Sequence, residues 1–198
     1  MGFGLEDFYS FGGVPHRRYV VVGTSGSGKS TLAGRLAEHL GVRHIELDAL
    51  HWLPGWEMRG LEDFRGRVDR ATDQERWVVD GNYSKVRDIV WGKADAVIWL
   101  DLPRPVVMWR VFWRTARRTL LREQLWNGNR ESLRTALFDS ESIVRWAWNT
   151  WEKRRREYPQ LLSETRNRHL DVFRIRDAQF ERIDVSFGAG ARAQPTPR

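Results

Sequence analysis

The chain has 198 residues, enough for one domain with a single good core. It contains no cysteine, which excludes disulfides and thiolate metal sites, and no apolar run approaches a membrane span or forms a signal-peptide pattern, so a cytoplasmic protein without a membrane partner is expected. The net charge of +7 is uneven: residues 104–156 hold 13 basic and 5 acidic side chains (+8) and six of the eleven tryptophans, leaving 20 against 21 elsewhere, so this segment expects a polyanion.

Residues 1–16, rich in Gly and aromatics, show no periodicity and read as a flexible N-terminal segment. Arg18–Gly23 is a short β-branched run, the first predicted strand. It runs into Gly23-Thr24-Ser25-Gly26-Ser27-Gly28-Lys29-Ser30, followed by Thr31 and a helix over Ser30–Leu40 that carries Leu32, Leu36 and Leu40 and stops at Gly41. This is a phosphate-gripping loop in the context it demands. Gly23 and Gly28 let the backbone turn so that N–H groups of the Ser25–Thr31 stretch, Gly26 among them, point at phosphate, aided by the positive end of the helix. Lys29 reaches the β- and γ-phosphates, and the Ser30 hydroxyl is placed to ligate Mg²⁺. The cofactors implied are ATP and Mg²⁺.

Val42–Asp48 reads as a second strand, followed by a Trp-, Pro- and Gly-rich loop, a helix over Leu61–Thr72 and a third strand over Arg76–Asp80. Ser84–Trp91 is a short helix, and Ala94–Asp101 a fourth strand. Asp48, Asp80 and Asp101 therefore stand at the carboxyl ends of strands, the edge where an open parallel sheet binds ligands. An Mg-nucleotide needs one carboxylate to orient metal-bound water, and a hydroxyl acceptor needs another as a general base. Asp48 with His51 and Trp52 suggests a substrate pocket, Asp80 is followed by Gly81, and Asp101 reads as a strand-end turn residue. The remaining histidines show no metal-ligand spacing.

Long helices are expected over Pro105–Leu125 and Ser140–Tyr158, a fifth strand over Leu170–Arg176, a terminal helix over Ala178–Ile183, and a frayed tail over 187–198. On the first long helix Trp109 and Trp113 share an arc that reads as core, while Arg110, Arg114, Arg117 and Arg118 share another. Guanidinium groups there suit both stacking on a base and bidentate phosphate binding. The run Lys153–Arg156 points around its helix in all directions, which makes Arg145 the better candidate for facing a site. Five strands with crossover helices form the core of an α/β, three-layer P-loop NTPase fold with a parallel sheet.

The blocks "GTSGSGKST", "LDALHWLPGW", "WVVDGNYSKVR", "LDLPRPVVMWRVFWR" and "RWAWNTWEKRRREY" give the chain a further likeness. It resembles the small adenylate-kinase-like P-loop kinases over residues 18–185, most of all the bacterial group labelled "DNA topology modulation protein". The resemblance implies a nucleoside-monophosphate-kinase-like domain over 17–186 with a helical lid inserted at about 119–145. It implies that Asp80 holds magnesium water, Arg87 approaches an acceptor's phosphate, Arg110 stacks near adenine, Arg114 reaches the phosphates and Arg145 descends from the far side of the lid. Asn82 and Tyr83 replace the Phe-Pro of the adenylate kinase motif, and "LDALHW" is instead similar to the region of gluconate and shikimate kinases where an acid meets a substrate hydroxyl.

The sequence thus points to an ATP-dependent phosphotransferase acting on a nucleotide or a small hydroxyl-bearing acceptor, with Lys29, Asp48, Asp80, Arg114 and Arg145 as catalytic candidates and Asp48, His51, Trp52 and Arg87 lining the acceptor side. A P-loop ATPase or nucleic-acid-associated switch using residues 104–156 is the less favoured alternative, since no nucleic-acid-binding signature accompanies the charge.

Overall fold

The computed structural model describes residues 16–121, 126–129, 143–176 and 183–184. In chain order it contains β1 (Arg18–Gly23), α1 (Lys29–Leu40), β2 (Arg43–Glu46), α2 (Leu47–His51), α3 (Leu61–Ala71), β3 (Trp77–Asp80), α4 (Arg87–Lys93), β4 (Ala96–Leu100), α5 (Arg104–Leu120), α6 (Ile143–Ser163), β5 (Asp171–Ile175) and β6 (Ile183–Asp184). The sheet order is β2-β3-β1-β4-β5-β6, with β1 to β5 mutually parallel and the two-residue β6 antiparallel to β5.

Because the central strands are covered on both faces, their side chains alternate between two cores rather than between core and solvent. Val20 and Val22 face Phe64 and Val68 of α3, Val90 and Trp91 of α4, and Tyr158 and Leu162 of α6. Tyr19 and Val21 face Leu32 and Leu36 of α1 and Val107 and Val111 of α5. This makes three layers, with α1 and α5 on one side and α3, α4 and α6 on the other. Gly41 ends α1 as expected, in the left-handed region at φ 62°, its N–H bonded to the Ala37 and Glu38 carbonyls.

Four expectations need correction. The second strand stops at Glu46, and Asp48 lies in the first turn of α2 rather than at a strand end. Trp109 and Trp113 are 64% and 53% exposed and form no core; Val107, Val111 and Thr115 do. The reason is proximity: a Cβ on Gly26 would sit 2.3 Å from Val111 Cγ2 and 3.0 Å from the Val107 carbonyl, so α5 crosses the loop too closely for an indole to fit between. Ile183 belongs to β6 instead of a terminal helix, and 178–182 lie outside the described residues. His16 is part of the fold, buried against Tyr19 and Phe173 and 2.7 Å from Asp171, while 1–15 and 187–198 lie outside the described residues, as does most of the 119–145 span.

Candidate active site

The carboxyl edge of β1 delivers the phosphate loop into a ring of cations. Arg154 Nη1 donates to the Gly23 carbonyl at 2.8 Å and Lys29 Nζ to the Thr24 carbonyl at 3.3 Å. Arg114 Nη2 donates to Ser25 Oγ at 3.1 Å and Arg110 Nη1 to the Ser27 carbonyl at 3.3 Å. Each cation is held against an oxygen of the loop itself, so positive charge is gathered before any anion arrives. Burial, with Arg154 beside it, lowers the Lys29 ammonium to about 8, against the opposing pull of Asp80 and Asp48. Gly28 stands at the N-cap of α1, and Thr31 is exposed in its first turn.

The turn after β3 supplies three fasteners in the four residues Asp80 to Tyr83. Asp80 Oδ2 accepts the Ser30 hydroxyl at 2.5 Å, and Oδ1 lies 3.0 Å from His44 Nε2. Burial alone would lower His44, but its hydrogen bond to Asp80 and the charges of Asp80 and Glu46 raise it above the usual histidine range. Asn82 pairs with both polar groups of the Gly23 residue, accepting its N–H at 3.1 Å and donating to its carbonyl at 2.5 Å. The Tyr83 hydroxyl donates to Asp48 Oδ1 at 2.5 Å. Burial first, then the charge of Asp48, pushes the Tyr83 phenol far above its ordinary range, so it stays a donor. Gly81, at φ 139°, is needed here because a Cβ would meet Leu47 Cβ at 2.8 Å.

Asp48 lies beside a packed cluster of aromatic rings. His51 is buried with its ring centroid 4.6 Å from Tyr83, 4.8 Å from Phe64 and 5.0 Å from Trp52, and its Nδ1 has no hydrogen-bond partner among the described residues. Burial lowers His51, helped by Lys85 and Arg59 and opposed by Asp48, so the ring is neutral near pH 7. Beyond it, residues 51–59 form a hairpin: Trp52 and Met58 bridge, Leu53 N–H donates to Glu57, and Arg59 N–H donates to the His51 carbonyl. Residues 126–129 clasp this hairpin. Asn129 accepts the Trp56 N–H at 3.0 Å and donates to the Leu53 carbonyl at 2.9 Å, Asn127 donates to the Trp52 carbonyl, and Trp126 Nε1 to Glu46 Oε2 at 2.9 Å. The clasp holds Trp56 in the left-handed region at φ 60°, a costly conformation for an aromatic residue.

Arg87 stands at a recess it shares with Asn82, Tyr83, Trp91 and Tyr158, its guanidinium 5.4 Å from the Trp91 ring centre. Lys29, Asp48, Asp80, Arg114 and the loop residues therefore meet at one edge, with His51 and Trp52 following Asp48 at the end of α2, while Arg87 lines the recess with Asn82 and Tyr83. Arg145 falls in the first turn of α6, and its side chain lies outside the described residues. Sequence reasoning overlooked Arg154, His44, Asn82 and Tyr83. Arg154 was legible in principle, because Trp151, Arg154, Tyr158 and Leu162 fall on one helical stripe whose other members are apolar. Asp101 is not a site residue: it is buried, with Arg174 at 2.6 Å and Arg155 at 3.2 Å, and it anchors α6 and β5.

Among the described residues no group of three or more His, Asp or Glu side chains is arranged to hold a metal by itself. Ser30 and Asp80 nonetheless offer adjacent oxygen donors, the set that suits a hard cation arriving with phosphate oxygens.

No protein-family model matches the chain. A curated relative, the uncharacterized protein YqaC of Bacillus subtilis, is 27% identical over 100 residues, which is 50% of this chain and 56% of that protein, so the chain spans little more than half the length of the relative it matches. Among solved structures, a shikimate kinase from Acinetobacter baumannii in complex with shikimate superposes with a TM-score of 0.50 at 16% identity, covering 89% of this chain and 91% of that one. A gluconokinase from Sinorhizobium meliloti 1021 (23% identity, TM-score 0.46, 80% and 82% covered) and a shikimate kinase from Bacteroides thetaiotaomicron (17%, 0.46, 73% and 83%) are more distant in shape. The fold is that of a small three-layer P-loop protein. No described helix is long and apolar enough to cross a membrane.

Proposed function

We propose that the chain is an ATP-dependent phosphotransferase that moves the γ-phosphate of ATP to a hydroxyl of a small acceptor. The observation that carries this reading is Asp48: a carboxylate from outside the loop, held by Tyr83 and close enough to Lys29 and Arg154 to act on the charge of both. An ATPase requires a placed water; a second carboxylate from outside the loop, set beside aromatic rings, suits an organic acceptor better. The Tyr83 hydroxyl occupies Oδ1, which leaves Oδ2 to take the acceptor's proton as its oxygen bonds to the γ-phosphorus and the bond to the β-phosphate oxygen breaks, releasing ADP.

Lys29, Arg114 and Arg154 lie where negative charge accumulates on the transferring group, and losing one such donor costs about 3 kcal/mol. Arg110 is suited to the nucleotide's base and Arg87 to an anionic group of the acceptor. Ser30 and Asp80 would hold Mg²⁺, which when bound neutralises phosphate charge. The nucleic-acid reading draws little support, since Arg110, Arg114, Arg154 and Arg155 of the basic segment turn toward the loop or Asp101.

The test is ATP consumption, with and without Mg²⁺, against a panel of nucleotides, nucleosides and polyhydroxy acids. Acceptor-stimulated turnover that Asp48→Asn abolishes is the expected result. Turnover indifferent to every acceptor would give the ATPase reading instead, and steeply salt-dependent duplex DNA binding would revive the nucleic-acid one.

A further inference from the structure

Asn82 takes no chemical part in the reaction above, yet its amide grips the first residue of the phosphate loop at both polar atoms. The β1–β3 ladder ends with Val21 opposite Asp80, after which Gly81 N–H still reaches the Val21 carbonyl at 3.3 Å and the two backbones part. The Asn82 side chain continues the pairing where backbone no longer can, bonding Gly23 N–H and C=O. Each acceptor in this pairing then takes a second donor from α6. Asn82 Oδ1 accepts the Tyr158 hydroxyl at 2.6 Å, and the Gly23 carbonyl accepts Arg154 Nη1 at 2.8 Å.

The result is a closed ring of Gly23, Asn82, Tyr158 and Arg154, the last two one helical turn apart. Tyr158 cannot drift, because its ring is 1% exposed and packs edge-on against Trp99 at 5.4 Å and Trp91 at 6.2 Å. Nor can the amide turn over: a flipped Asn82 would set its NH₂ against the Gly23 N–H and its oxygen against the Gly23 carbonyl. The ring fixes both the height and the rotation of α6 relative to the loop.

We infer that Asn82, together with Tyr158, is a positioning residue for Arg154, holding that guanidinium at the mouth of the phosphate loop to meet the terminal phosphate of a bound triphosphate. The inference rests on the reading that the loop holds the triphosphate tail of ATP, and it deepens that reading by adding a device for telling ATP from ADP. Asn82→Asp is a sharp probe, since it keeps the volume and replaces the donor facing the Gly23 carbonyl with an oxygen. Tyr158→Phe keeps the buried ring and removes only the hydroxyl.

The experiment measures calorimetric affinities of the full chain for a Mg-bound non-hydrolysable ATP analogue and for Mg-ADP, which needs neither turnover nor acceptor. Arg154→Ala is expected to weaken the analogue by about tenfold or more while leaving ADP within about twofold. Asn82→Asp should lose most of the same preference and Tyr158→Phe a smaller part, and Asn82→Asp combined with Arg154→Ala should be no worse than Arg154→Ala alone. A purely structural role would instead weaken ADP and analogue equally, or lower the melting temperature with the preference intact, or give additive losses; any of these overturns the inference. A wild-type chain that prefers the triphosphate but phosphorylates no acceptor would sink the phosphotransferase reading and leave this one standing. A wild-type chain that binds neither nucleotide would sink both.

Discussion

Around the phosphate loop, four cations lie against four of the loop's own oxygens. Beside Asp48, the rings of Trp52, Phe64 and Tyr83 pack around His51, and the carboxylate's partner is a phenol. The two halves use different physics. The loop side gathers charge, which binds any polyphosphate strongly and discriminates weakly. The Asp48 side sets one carboxylate, held by a phenol, beside packed rings, a setting that would discriminate by shape and by the few polar groups it offers. The phosphotransfer proposed above needs that division, because the nucleotide is common to many reactions and the acceptor is not.

The division implies that the halves can be disabled separately. Lys29→Ala should abolish turnover and weaken nucleotide binding by about a hundredfold or more. Asp48→Asn should reduce acceptor-dependent turnover by about 10²–10⁴-fold, the usual range for a lost general base, with nucleotide affinity within about twofold of wild type. Calorimetry with Mg-ADP and steady-state turnover measure the two effects independently. If Asp48→Asn weakened nucleotide as severely as Lys29→Ala, the halves would be one site and the contrast would fail.

The same contrast marks what was legible in the sequence. The loop was legible because its function is set by backbone: glycines, a lysine and a following helix at fixed spacing leave little else to form. The strands were legible as β-branched runs, and Gly41 as a stop. The fasteners were less so, because they join residues far apart in the chain: Tyr83 to Asp48 on one side and Asn82 to Gly23 on the other, 35 and 59 positions away. Nothing local in "DGNY" declares those partners. Arg154 was hidden in a run of like charges that carries no helical phase; the phase comes from the aromatic and aliphatic residues flanking it. Trp109 and Trp113 fail for the opposite reason: their apolar stripe has the spacing of a core face, and the close crossing of α5 over Gly26, which excludes it, has no local sequence signal.

That crossing gives the next prediction on the loop side. Gly26 has φ 81° and no room for a methyl group, so Gly26→Ala must displace α5 together with Arg110 and Arg114. Destabilisation of about 2–3 kcal/mol is expected from overpacking and backbone strain combined, readable as a lowered urea midpoint, with loss of nucleotide binding in the folded fraction. An Ala variant of wild-type stability would mean that α5 does not press on the loop.

On the acceptor side the matching contact is Asn129, 4% exposed, whose amide holds two backbone groups of the Trp52–Met58 hairpin. Asn129→Ala leaves those groups unpaired and frees the hairpin, costing about 1–2 kcal/mol. We expect the KM for acceptor to rise roughly tenfold with nucleotide affinity unchanged. A fall in nucleotide affinity instead would show the clasp serving the wrong half.

The smallest expected effect is a pH dependence confined to the loop side. The Lys29 ammonium, lowered to about 8 in the free protein by burial and by Arg154, loses its proton across a range where an ordinary lysine keeps it. A bound triphosphate favours the cation, so binding between pH 8 and 9 must take up protons, and affinity must fall as pH rises, by at most about tenfold between pH 7 and 9 for a single such group. The stability term has the opposite sign. The unfolded chain holds more protons at Lys29 between about 8 and 10.5, so this residue's contribution to the stability of the nucleotide-free fold improves with pH over that window. Calorimetry in buffers of different ionisation enthalpy reads the proton uptake directly. Lys29→Arg, cationic throughout, should bind with a flat profile over the same range, and a wild-type profile equally flat would mean that burial and Arg154 do not lower Lys29. Acceptor affinity should not follow this titration, because His51 is already neutral and Tyr83 keeps its proton there.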